Sequence, residues 1–152
     1  MIEERLKELG IELPDAPAPV GNYVSVKRSG PFIITSGQLP WVGDKLICEG
    51  RLGEEVSVEQ GYQAARQCAI NAIAQLKLAA GDLDNIKELV RVEGFIHCGS
   101  GFRGHPDVLD GASDLLYEVF GEAGEHARMA LGIHEMPLSA PVQLAIWAAV
   151  KD

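Results

Sequence analysis

Residues 57–97 read SVEQGYQAARQCAINAIAQLKLAAG and then DLDNIKELVRVEGFIH, and the hydrophobic period changes between the two halves. In the first half, apolar or small residues recur at Ala65, Cys68, Ala69, Ala72, Ile73, Leu76 and Ala80, the stripe of a helix buried along one face. Ser57 and Gln60 have the spacing of a capping box, which satisfies the free N–H groups of a first turn, and Gly81 ends the pattern. In the second half, Leu89, Val90, Val92, Phe95 and Ile96 mark Glu88 to His97 as a strand. Toward the C-terminus, Pro106 suits the first turn of a second helix. Its apolar face runs from Val108 and Leu109 to Val119 and Phe120, and Gly121 closes it. Two strands follow, Ala127 to His134 and Pro141 to Val150. Toward the N-terminus, residues 3–9 read as a short helix stopped by Gly10, with an extended lead-in from Leu13 to Pro19. Tyr23 to Arg28 and Phe32 to Ser36 read as strands joined at Ser29-Gly30-Pro31, and residues 45–48 as a further brief strand. The order predicts one α+β domain over residues 1–152, with two helices on one face of a mixed sheet.

Composition narrows the function. The net charge is −9, and Lys27-Arg28 is the only adjacent basic pair, so the chain repels phosphate backbones and nucleic acid is not an expected partner. Cys48, Cys68 and Cys98 are odd in number and widely spaced, which fits neither a disulfide framework nor a metal site and points to a reducing, cytoplasmic setting. The acidic start Met1-Ile2-Glu3-Glu4-Arg5 is unlike a secretory signal, and no apolar run approaches the ~20 residues a membrane helix needs. No His or Cys pair has a recognised ligand spacing, so neither a metal nor another cofactor is expected. Gly99-Ser100-Gly101-Phe102-Arg103-Gly104 is glycine-rich without the lysine of a phosphate loop and reads as a loop. Cys98 is a nucleophile only with a base beside it; otherwise it is an inert thiol.

Arg128 stands out among the remaining residues. Alternation along its strand puts Met129, Leu131 and Ile133 on one side, read as the core, and Arg128, Ala130, Gly132 and His134 on the other. A guanidinium beside alanine and glycine leaves room for a small anion, and arginine grips a carboxylate with two parallel hydrogen bonds. The same residue in a salt bridge, or simply exposed, is the competing reading. If the last two strands pair as a hairpin, Gln143 lies near Arg128. Glycine in Ser36-Gly37-Gln38 lets backbone groups approach a ligand closely, or marks a plain turn.

These segments carry a resemblance. Ile33-Ile34-Thr35-Ser36-Gly37-Gln38-Leu39-Pro40 resembles the (I/V)-x-x-S-G-Q-x-P segment of the RidA/YjgF family. Arg128, followed by Met136-Pro137 and a final apolar strand, resembles that family's C-terminal signature, and Tyr23 falls where the family places a tyrosine. The segments His126-Ala127-Arg128 and Gly111 to Leu116 are similar to a RidA-like subgroup. The resemblance implies a chorismate-mutase-like fold, a homotrimer whose sheets form a central barrel, and ligand pockets between subunits. It implies hydrolysis of enamine and imine acids, such as 2-aminoacrylate, to a 2-oxo acid and ammonia. Arg128 would hold the substrate carboxylate, and Tyr23, Ser36, Gly37 and Gln38 would complete the pocket. Gln143 stands where deaminases of the family carry a glutamate associated with the attacking water; glutamine orients water but cannot take its proton. Catalysis and binding of a small carboxylate without turnover both remain open at this stage.

Overall fold

The computed structural model describes residues 1–152. Its elements are α1 (Ile2–Glu8), β1 (Val26–Ser29), β2 (Phe32–Thr35), β3 (Trp41–Val42), β4 (Lys45–Leu46), α2 (Val58–Ala80), β5 (Ile86–His97), α3 (His105–Phe120), β6 (Ala127–Ile133) and β7 (Val142–Val150). The five long strands form one mixed sheet in the order β1-β2-β7-β5-β6. Only β5 and β6 run parallel, as a strand pair joined by the α3 crossover must. Helices α2 and α3 cover one face of the sheet, which is the α+β layering the sequence predicts. No helix is long and apolar enough to cross a membrane.

The α2 helix begins as its sequence requires: Ser57 Oγ accepts from the Gln60 amide at 3.2 Å, and Gln60 Oε1 accepts from the Ser57 amide at 2.9 Å. Its small residues let α3 come close. Gly111 of α3 lies directly against the carbonyl oxygen of Tyr62 in α2, leaving no space for a Cβ. Tyr62 also donates a 2.7 Å hydrogen bond to Asp114 across the crossing, which with burial pushes its phenol up to about 12. Polar residues of α2 anchor two loops beyond the sheet. Buried Asn71 donates to the carbonyls of Leu39 and Trp41, both at 3.0 Å, and buried Gln75 donates to Pro17 at 2.7 Å.

Two expectations about the last strands are overturned. They do not form a hairpin, because β5 lies between them: Phe95 pairs with Gln143 on one side and Leu131 on the other. The faces of β6 are also reversed. Arg128, Ala130 and Gly132 pair with Val92, Gly94 and Ile96, which face the helices, whereas Met129, Leu131 and Ile133 share the helix-free face with Glu93 and Phe95. Crowding is the physical reason. A Cβ on Gly94 would collide with Leu109 of α3, and one on Gly132 would lie 2.9 Å from Cys98 Sγ and against His105. Small residues stand on that side because α3 passes close, so they do not mark an empty hollow. The large residues lie opposite, where Phe32, Ile34, Phe95, Leu131 and Trp147 make a largely apolar sheet face, broken by the Arg91–Glu93 ion pair, with no helix over it.

Candidate functional site

A cleft of about 370 Å³ opens where the two loops held by α2 meet the ends of β2 and β7. Tyr23, Ser36, Gly37, Gln38 and Gln143 all line it, so the chain brings together five of the six residues singled out in the sequence. Gln38 is clamped by backbone bonds to Leu144 at 2.7 and 3.1 Å, and its side chain donates to the Ser36 carbonyl at 3.0 Å. That clamp ends β2 and turns Gly37 toward the cleft. The absence of a side chain on Gly37 gives the Gln143 side-chain oxygen its place, since a Cβ there would push it aside.

The cleft presents convergent polar groups. Ser36 Oγ donates to the Val24 carbonyl at 2.6 Å and keeps its lone pairs. Tyr23 accepts from the Val20 amide at 3.3 Å and keeps its hydroxyl proton to donate. Gln143 Nε2 donates to Met136 Sδ at 3.4 Å, which leaves Oε1 as a free acceptor over Gly37. Apolar walls come from Pro17, Val20, Leu39, Trp41 and Leu138. No side chain lining the cleft carries a charge.

Arg128 is elsewhere. It lies two strands away from β7 and on the opposite face of the sheet from Gln143. Its Nη1 donates to Asp110 at 2.7 Å and Ser113 at 3.1 Å, and Nη2 makes a 3.5 Å contact to the Pro106 carbonyl. Within one chain it therefore sits in a salt bridge, the competing reading of the sequence, at the border of an open depression formed with α3 and the segment before β6, not in a hollow beside Ala130 and Gly132. Nε makes no hydrogen bond, so the Nε–Nη2 edge remains for a planar anion.

Sequence reasoning missed several participants. Asn71 and Gln75, polar interruptions in an apolar helix, were the available signal for the loops they hold. Leu138 overhangs the cleft with φ 58°, followed by Ser139 with φ 56°; a left-handed leucine has no sequence signature. Asp110, Ser113 and His126 lie around Arg128; the segments of Ser113 and His126 carried only a subgroup resemblance, and Asp110 carried no signal.

An imidazole does stand beside Cys98, which is half-buried: His105 Nε2 lies 3.5 Å from its Sγ, outside the cleft. Cys68 is fully buried and Cys48 partly so, and desolvation pushes both thiols up. Iodoacetamide at pH 8 is therefore expected to alkylate Cys98 first, Cys48 more slowly and Cys68 only after denaturation, as read by peptide mass spectrometry. Modification of Cys68 in the folded protein would contradict the packing of α2.

Comparison with known proteins agrees with this fold. Residues 3–150 match the family model described as "YjgF/chorismate mutase-like, putative endoribonuclease". The chain is 41% identical over 144 residues to Protein TCP17 of Trypanosoma cruzi, covering 94% of this chain and 90% of that one. A crystal structure of a "putative endoribonuclease" from Shewanella oneidensis MR-1 superimposes with a TM-score of 0.96 at 43% identity, covering 99% of both chains. Atu1372 from Agrobacterium tumefaciens, of unknown function, gives 0.92 at 39% identity, covering 99% of this chain and 92% of that one. Escherichia coli TdcF, crystallised with bound serine, shares the fold at a TM-score of 0.67 and 19% identity, covering 93% of this chain and 97% of that one. With a family model spanning nearly the whole chain and a curated relative above 40% identity, this protein belongs to the YjgF/RidA family.

Proposed function

We propose that the protein is a homotrimer that hydrolyses small imine and enamine acids to 2-oxo acids and ammonia, in a site shared between adjacent subunits. One observation carries the reading: the cleft has donors and acceptors for a small polar molecule but no cation, while an arginine with a free edge stands at the far edge of the sheet. A carboxylate needs both, so Arg128 of one copy serves the cleft of the next. The uncovered apolar sheet face gives the copies a surface to join by. The serine bound to TdcF has the size and carboxylate expected of such a ligand. In the joined site Arg128 holds the carboxylate, Ser36 and Gly37 meet the nitrogen or the water, Tyr23 closes one wall, and Gln143 orients the water. An imine is already electrophilic, so positioning contributes much of the rate.

The test is ammonia release from an enzymatically generated imino acid. Arg128→Ala is expected to lower kcat/KM by roughly 100-fold, the cost of removing one partner of a desolvated charge pair. Gly37→Val, which fills the cleft, is expected to be equally inactive. Mixed by co-refolding, the two variants regain activity, because some sites then combine an intact cleft with an intact Arg128. Activity in Arg128→Ala alone, or no recovery on mixing, refutes the shared site.

A second reading, carboxylate binding without turnover, draws support from a cleft lining without carboxylate or imidazole. Titration calorimetry separates it: tight 2-oxo acid binding with no ammonia release favours binding alone. RNA cleavage, the wording attached to some relatives, is opposed by the −9 charge and by a cleft without Lys or Arg.

A further inference from the structure

The residues around Arg128 hold a chemistry that the cleft lacks. His126 Nδ1 lies 2.6 Å from the Gly124 carbonyl oxygen, which can only accept, so the ring proton sits on Nδ1. Nε2 then keeps a lone pair, and Ser113 Oγ, 2.8 Å away, donates its hydroxyl proton to it. The same oxygen accepts from Arg128 Nη1 at 3.1 Å. A hydroxyl drawn toward an imidazole whose tautomer is fixed from behind has the geometry of general base catalysis. Ser113, His126 and Arg128 are each half-buried and border one open depression of about 320 Å³. The charged and titratable groups that share this depression with His126 are Asp114 and Tyr117 from α3, the adjacent Glu125, and Arg128 from β6 with its partner Asp110; only Ser113 and the Gly124 carbonyl bond to its ring.

We propose that Ser113 and His126 are the proton acceptor of the hydrolysis, supplying across the subunit seam the base that Gln143 cannot be. The assignment rests on the shared-site reading above, since an Arg128 that enters a neighbouring cleft brings Ser113 with it. In the first half, water oxygen bonds to the imine carbon and the C=N π pair moves to nitrogen. The water proton passes to Ser113 Oγ as the serine proton passes to His126 Nε2, and the imidazolium then returns a proton to nitrogen. In the second half, the same pair takes the proton of the new C–OH and gives it to nitrogen. The C–N bond breaks, ammonia leaves and the carbonyl forms. No oxidant or other reactant is required.

Ammonia release and 2-oxo acid calorimetry on the same trimeric proteins test this. His126→Gln keeps an acceptor for the serine hydroxyl but cannot take a proton; its kcat is expected to fall about 100-fold with affinity for the oxo acid unchanged. Ser113→Ala loses as much, and Ser113→Thr, which keeps the hydroxyl, retains turnover. Full turnover in His126→Gln with an active wild type overturns this assignment alone. Loss of oxo acid binding together with turnover marks a merely structural role and overturns it too. A wild type without turnover overturns the hydrolase reading and this assignment together.

Discussion

Replacing Gly111 by alanine is expected to lower the melting temperature by roughly 4–8 °C, although it puts a better helix former into the interior of α3. Two effects oppose each other. Alanine is favoured over glycine in a helix by about 1 kcal/mol. Against that, the new methyl group would land on the carbonyl oxygen of Tyr62. Both sides of this contact are helix backbone, so no side chain can rotate aside and α2 and α3 must separate. Separation loosens Ala65, Cys68, Leu115 and Leu116, all fully buried or nearly so. Overpacking of this kind costs about 1–3 kcal/mol, sometimes more, and a rigid obstacle puts the cost at the upper end. Gly61→Ala offers a contrast at the same crossing. Its Cβ would meet side-chain methyls of Leu52 at 2.7 Å and Val108 at 3.1 Å, which can shift, so its loss should be smaller. Thermal unfolding followed by circular dichroism ranks the two. A Gly111→Ala protein as stable as the wild type would show that the helices do not cross as closely as described.

The same close crossing explains which parts of the sequence were legible. The α2 helix was read correctly at both ends, because a capping box, a stripe and a terminal glycine are local signals that tertiary contacts reinforce. The α+β layering followed from element order. The faces of β6 were misread because alternation reveals two faces without saying which one a helix covers. In a half-buried strand the larger apolar set is normally the core set, but β6 is an edge strand running beneath α3, where Gly132 and Ala130 are all that fits. Its Leu131 is left 46% exposed on the other side. The hairpin failed for a related reason: the insertion of β5 between β6 and β7 depends on the long-range α3 crossover. Within the site, Tyr23, Ser36, Gly37, Gln38 and Gln143 were legible as a group, and they meet in one cleft. The Arg128–Asp110 pair was not, because it depends on how a turn of α3 lies over β6.

Gln143→Glu is expected to raise kcat for imine hydrolysis only modestly while the Ser113–His126 pair is intact, and by about 100-fold where that pair cannot take the proton, the low end of what a positioned general base contributes. The present glutamine oxygen rests over Gly37 with no hydrogen-bond donor, so a carboxylate of the same shape fits the same place, losing only the Nε2 contact to Met136 Sδ. The gain comes with a cost in binding. A second negative charge would stand near the substrate carboxylate in a cleft that has no cation of its own, so KM should rise as kcat rises. A merely structural change would not produce that split. The substitution should also restore turnover to His126→Gln, since either group can take the proton of water. Ammonia release and oxo acid calorimetry on the four proteins (wild type, each single variant and the double) provide the measurement. If Gln143→Glu lowers kcat while leaving oxo acid affinity untouched, the attacking water does not stand against residue 143 and the orientation of the substrate in the cleft must be reversed.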